Sequence, residues 1–299
     1  MRMYIYLAEM YPVPARVISS VLLYISFTAF LGSVHGVEVA VISPFTFVGS
    51  WSLFALMLIL RLMDELKDKE IDRDLFSDRP LPSGRVSESD IGFTLVVMIG
   101  LLLGVNVWVG KAFWAAVFLV AYSSLMFRYF FVPEILRENL LLNLATHNPI
   151  IPITFLYVLI LFCVERDLTI NDVKWLNTLL LMGMYWAVFL AWEIARKIRC
   201  REEENEYVTY SRILGLVGAT LATAGTQTIG LAIGVYFYWS LSLSHLFLGT
   251  LLAGYALTLS GHLRFLLNPT PVTSKLRPFA EGYILTIVIV NIWEHGLLI

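Results

Sequence analysis

At 299 residues, 58% of them hydrophobic and 15% charged, with a mean hydropathy of +0.76, the chain has the composition of a polytopic membrane protein and not of a soluble globule. The net charge of −2 decides nothing by itself, because the placement of the charges matters more. Two cysteines, Cys163 in an apolar run and Cys200 in a basic loop, exclude a disulfide framework and any C-x-x-C metal site.

The first residues do not read as a cleavable signal: Glu9, several aromatics, Pro12 and Pro14 precede the first apolar run. Nine runs are long enough to cross a hydrocarbon core of about 30 Å. They cover 15–34, 44–65, 90–110, 112–131, 140–164, 174–196, 209–231, 240–266 and 279–298. Ser87-Glu88-Ser89-Asp90 reads as a capping start for the third. Pro149 and Pro152 are expected to bend the fifth. Thr220, Thr223, Thr226 and Gln227 form a polar stripe on the seventh, of the kind that joins helices. Gly230, Gly234 and the aromatics from Tyr236 to Trp239 blur its join with the eighth.

Eighteen of the 21 lysines and arginines fall on the amino-terminal side of these runs, and three, Lys111, Arg166 and Lys174, on the other. By the positive-inside rule the amino terminus faces the cytoplasm and the carboxyl terminus, with Glu294 and His295, faces outward. The expected fold is all-α: nine transmembrane helices in a bundle, one domain over 1–299, with a central cavity capped by cytoplasmic acidic loops.

The chemistry concentrates in two polar stretches on the cytoplasmic face. The first runs Arg61-x-x-Asp64-Glu65-x-x-Asp68-x-x-x-Asp72 and continues Arg79-Pro80-Leu81-Pro82-Ser83-Gly84. Asp64, Asp68 and Asp72 at i, i+4 and i+8 share one helical face, about 6 Å apart per step. Like charges so placed repel, and raised pKa values, basic neighbours or a divalent cation would relieve them. Arg61 and the Lys67, Lys69 and Arg73 set offers partial relief. The second stretch holds Glu193, Arg196, Lys197, Arg199, Arg201, Glu202, Glu203 and Glu204.

Acids and bases mixed over an apolar, aromatic bundle suit a phosphate-rich group carried by Mg²⁺ above a hydrocarbon tail. The chemistry that fits is ionisation of an allylic diphosphate to a carbocation sheltered from water. Phe113, Trp114, Phe118 and Tyr122 in the fourth run, and Tyr185, Trp186, Phe189 and Trp192 in the sixth, are rings that could face such a cation. Arg128 ends the fourth run on the correct side to meet phosphate, and His147 could line the cavity or act as a base. Asn143 and Tyr210 are further cavity candidates, whereas His262 and Arg264 read as helix-end capping groups.

The first stretch resembles the first signature of the UbiA-type intramembrane prenyltransferases, R-x-x-N-D-x-x-D-x-x-x-D followed by R-P-[LI]-x-x-G. The family's Asn is Asp64 here, and its next Asp is Glu65. The usual second D-x-x-x-D is replaced by Glu193-x-x-x-Lys197, and the segment from Glu193 to Arg199, with Thr209-Tyr210-Ser211-x-x-x-Gly215, resembles a divergent branch. The resemblance implies Mg²⁺-dependent transfer of a prenyl group from a prenyl diphosphate to an aromatic or lipid acceptor in the bilayer, with no nucleic-acid partner. It implies Asp64 and Asp68 as holders of metal and diphosphate, Asp72 in support, and Arg61 and Arg79 as neutralisers of phosphate charge. Glu193 and Glu202 are the further candidate metal ligands, Glu193 and Lys197 candidate catalytic groups, and Arg128, His147, Tyr122 and Arg199 candidate substrate contacts. A terpene cyclase using the same diphosphate site is the alternative. A cation transporter fits less well, since the acids gather at one rim and not at mid-span.

Overall fold

The computed structural model of the protein describes residues 2–204 and 208–295, and every regular element among them is helical. In chain order the helices are α1 (Arg2–Met10), α2 (Val13–His35), α3 (Pro44–Lys67), α4 (Lys69–Leu75), α5 (Glu88–Val107), α6 (Lys111–Phe127), α7 (Pro133–Glu138), α8 (Leu140–His147), α9 (Ile150–Glu165), α10 (Trp175–Ala195), α11 (Tyr210–Ser240), α12 (His245–Leu267) and α13 (Arg277–Glu294). A helix stands at each of the nine expected runs. Seven, with α8 and α9 counted together, are long and apolar enough to cross a membrane; α6 is apolar but shorter.

The chain folds into two compact units interleaved in sequence. One comprises Met1–Ile25, Ala40–Pro133 and Leu156–Leu168; the other comprises Ser26–Val39, Glu134–Phe155 and Thr169–Ile299. In the first unit α3 packs on α5 and α6. Its interior carries one polar knot: Tyr157 donates to Asn106 Oδ1 at 2.8 Å, and Asn106 Nδ2 donates to Ser52 at 2.9 Å and to the Leu102 carbonyl. Asn106 is fully buried, so these bonds replace the water it gave up. The expected cap on α5 forms as a capping box, Ser87 and Asp90 each bonding the other's backbone N–H.

In the second unit α10 packs on α11 and α13, and α12 on α11 and α13. Phe27, Phe155 and Tyr185 meet with ring centroids 4.5–5.3 Å apart. At the edge of this cluster Ser26 and Tyr185 share a 2.5 Å hydrogen bond, and Asn291 Nδ2 donates to the Tyr185 oxygen at 2.8 Å.

Three expectations need correction. The seventh helix does not end near residue 231 but runs to Ser240, because Gly230 and Gly234 serve close packing and not a turn. A Cβ at Gly230 would come within 2.9 Å of Val188, and one at Gly234 within 2.7 Å of Leu251. The threonine stripe does not bond to neighbouring helices: Thr220, Thr223 and Thr226 donate to carbonyls one turn back in α11 itself. Of the two prolines, Pro149 marks the break between α8 and α9, whereas Pro152 lies in the first turn of α9, where no N–H is needed. Asn148 at the break accepts a hydrogen bond from Trp186 Nε1.

Gly215 has φ +71° and ψ 165° inside α11, a conformation open in practice to glycine alone. Gly215→Ala is therefore expected to cost about 1–3 kcal/mol, read as a lower unfolding temperature in detergent. An unchanged melting curve would show that the kink carries no strain.

Candidate functional site

At one end of the first unit α3 runs out into the acidic stretch. Its helical hydrogen bonding continues across the expected face, Asp68 N to Asp64 O and Asp72 N to Asp68 O, both 2.9 Å. The helix nonetheless breaks at Asp68, which lies between α3 and α4 and caps both. The four acids then have different surroundings. The Glu65 side chain is fully buried, takes Arg61 Nη2 at 2.6 Å and lies 3.4 Å from the Tyr6 hydroxyl. Asp72 is buried and takes Arg79 Nη1 at 2.7 Å, while the Arg79 guanidinium stacks on the Phe76 ring at 3.8 Å. The Asp64 side chain is half exposed, with Lys67 Nζ 3.3 Å away. Asp68 is partly exposed at the break.

Like-charge repulsion is thus relieved in part: Glu65 and Asp72 are neutralised by guanidinium groups, and Asp64 has a lysine beside it. α1 lies across this end. Besides Tyr6, Glu9 makes a two-pronged pair with Arg85 at 2.5 and 2.9 Å, and Arg2 lies 3.6 Å from Asp90. Burial pushes the Tyr6 phenol well above its usual pKa; Arg61 opposes the shift and the Glu65 charge adds to it, so the hydroxyl stays a donor. Beside the Pro80–Gly84 turn is a cavity of about 250 Å³ lined by Lys69, Arg73, Pro82 and Glu88 among others, with Lys69 and Glu88 paired at 2.8 Å.

Also in the first unit, Arg128 is exposed beside the Phe127 ring. Tyr122 is half-buried between Phe118 and Phe130. Trp114 and Phe118 are 72% and 53% exposed. These two rings point outward, as rings facing lipid do, and do not line an interior.

In the second unit Glu193 is held by Arg196, through Nε at 2.6 Å and Nη2 at 2.8 Å, with Lys197 farther off at 3.7 Å. The closer partner is therefore i+3 and not the i+4 lysine. Arg199 Nη1 donates to the Arg196 and Ile198 carbonyls, closing the end of α10. Glu202 is exposed. Glu204 accepts from Thr209 and Ser211, and Glu203 from Ser274. Tyr210 is buried with Ile194, Ile198 and Phe265. His147 Nδ1 lies 3.0 Å from the Asn143 carbonyl, and Asn143 Nδ2 donates to Leu136. Of the rings in α10, Tyr185 is buried and Trp186 is 39% exposed.

His262 is not a capping group. It is 2% exposed, more than a turn inside α12, and neither ring nitrogen has a hydrogen-bond partner among the described residues. Gln227 is equally buried, and its side-chain amide has no hydrogen-bond partner among the described residues.

Among the described residues no three His, Cys, Asp or Glu side chains converge to hold a metal unaided. Asp64 and Asp68, two partly exposed oxygen donors one helical turn apart, fit an ion such as Mg²⁺, which takes one or two carboxylates and fills its shell with water and phosphate.

No known family profile matches the sequence, and no curated protein matches it either. Solved structures do. A UbiA homologue from Aeropyrum pernix K1 superimposes with a TM-score of 0.66 at 11% identity, over 94% of this chain and 98% of that one. A structure described in a study of digeranylgeranylglyceryl phosphate synthase in membranes gives 0.63 at 15% identity, over 98% of both chains. At such identities the likeness establishes the fold: this chain is built like a UbiA homologue along nearly its whole length.

Proposed function

We propose that this chain is a UbiA-type prenyltransferase, moving a prenyl group from a prenyl diphosphate to an acceptor, aromatic or lipid, inside the membrane. The observation that carries the reading is the pair of partly exposed carboxylates, Asp64 and Asp68, one turn apart where the apolar helix α3 runs out. The fold shared with UbiA homologues supports it.

In this reading Asp64 and Asp68 hold Mg²⁺, which when bound offsets the charge that gathers on the departing diphosphate. Asp72 and Arg79 stiffen the turn behind them, and Arg61 with Glu65 fixes the exit of α3. The allylic C–O bond breaks with its electron pair leaving on diphosphate. The acceptor then forms the new bond to carbon and loses a proton. Apolar helix walls keep water from the cation. Glu193, Lys197, Arg199 and Glu202 are the groups to substitute in the second stretch, where Arg196 already compensates Glu193. The reading takes nine spans, with the amino terminus and both polar stretches on the cytoplasmic side, on the strength of the basic-residue bias.

The test is product analysis: purified protein, Mg²⁺ and prenyl diphosphates of several lengths, with products identified by mass. The expected result is divalent-dependent diphosphate release and a prenylated acceptor. A hydrocarbon ring formed with no acceptor present would replace transfer by cyclisation.

A further inference from the structure

We propose that the cavity beside the Pro80–Gly84 turn is a head-group site for an anionic phospholipid, with Arg73 and Lys69 taking its phosphate. The site uses neither Asp64 nor Asp68 and stands apart from the metal reading above.

The cavity, of about 250 Å³, lies within the first unit, where α4, the turn and the start of α5 meet. Lys69 and Arg73, at i and i+4, line it from one face of α4. Glu88 lines it from α5, and Leu81 and Pro82 add an apolar patch from the turn. Two cations against one carboxylate leave the lining net positive. The two cations differ. Lys69 Nζ is 2.8 Å from Glu88 in a solvent-exposed pair, of the kind that contributes little and exchanges readily. Arg73 is exposed, and no carboxylate among the described residues lies within ion-pair distance of it. The other cations of the turn are engaged, Arg79 with Asp72 and Arg85 with Glu9. Glu70 and Asp74, also on α4, do not line the cavity. The cap of α5 is occupied by the Ser87–Asp90 box, so the side-chain cations and not the helix end supply the attraction.

Position favours a lipid over a solute. On α5 the exposed apolar residues begin at Phe93 and continue with Val96 and Val97. In a chain that spans the membrane such residues face acyl chains, which puts Glu88, ~8 Å back along the helix, at the level of the head groups. Ile71 on α4 and Phe76 just after it are exposed as well, apolar groups of the kind that dip into the same layer. A phosphodiester seated in the cavity accepts from the planar fork of Arg73 and draws Lys69, a point charge on a flexible stem, away from Glu88. Its acyl chains then lie along the apolar face of α5. Bound in this way the lipid ties α4, the turn and α5 together, so that occupancy stabilises the folded chain.

The experiment is a lipid titration of the purified, delipidated full chain in detergent, read by native mass spectrometry and by thermal unfolding. Dioleoylphosphatidylglycerol should bind about tenfold more tightly than dioleoylphosphatidylcholine and raise the unfolding temperature. Arg73→Gln should lose that preference, and Lys69→Gln should weaken it. Glu88→Gln, which frees Lys69 for the phosphate, should strengthen it about threefold, a gain that a merely structural role does not produce. Arg137→Gln, which removes an exposed arginine of the second unit, should change nothing. Equal affinity of wild type for the two lipids, or wild-type preference in both Arg73→Gln and Lys69→Gln, overturns the site. A loss in Arg137→Gln as large as in Arg73→Gln would mean general surface attraction and overturns it too. If sn-glycerol 3-phosphate raises the unfolding temperature as much as the lipid does, the occupant is a soluble phosphate ester and the lipid assignment fails.

Discussion

Asp64→Ala and Asp68→Ala are each expected to abolish diphosphate release, lowering kcat/KM about a thousandfold or more. Each should leave the protein folded, because both side chains are partly exposed, with at most a small fall in unfolding temperature where the largely buried Lys67, 3.3 Å from Asp64, loses that partner. The two properties have to be measured on the same preparation, turnover by released diphosphate and integrity by thermal unfolding in detergent. Asp72→Ala is the contrasting case. Its carboxylate is buried against Arg79, so its loss should loosen the Pro80–Gly84 turn and reduce activity less. Near-normal turnover in both Asp64 and Asp68 variants would remove these residues from the chemistry.

The largest stability effect is expected at Arg61. The Glu65 side chain is fully buried, one oxygen bonded to Arg61 at 2.6 Å and the other without a partner. Arg61→Ala leaves a carboxylate in that position with only the Tyr6 hydroxyl, and stranding one member of a buried pair costs about 3–5 kcal/mol. Glu65→Gln should cost less, because an amide needs no counter-charge. A melting temperature for Arg61→Ala equal to that of wild type would mean that Glu65 is compensated elsewhere.

How much of this is legible in the sequence depends on the range of the interaction. Helices stand at all nine expected runs because a chain crossing lipid must satisfy its backbone within each segment, and long apolar stretches record that demand locally. The capping box at Ser87 and the break at Pro149 are likewise local. The end of α11 is not: Gly230 and Gly234 look like punctuation until Val188 and Leu251 are seen against them.

The acidic stretch was legible as a group but not residue by residue. Helical spacing puts Asp64, Asp68 and Asp72 on one face; it says nothing of Arg79, seven positions on, which takes Asp72 out of solvent. Nor does it mark Tyr129, 62 positions from Lys67, or Tyr6, 59 positions from Glu65. The outward turn of Trp114 and Phe118 was equally hidden, because an apolar ring is at home facing lipid or interior and its sequence does not choose.

The amino-terminal helix has a practical consequence. Tyr6, Glu9 and Arg2 fasten it to Glu65, Arg85 and Asp90, three points spread over the motif and its following turn. It acts as a latch with no chemistry of its own. Trimming those residues, or hanging a bulky purification tag where it pulls on them, should give a protein that looks catalytically damaged although every motif side chain is intact. Restoring the free helix should restore it.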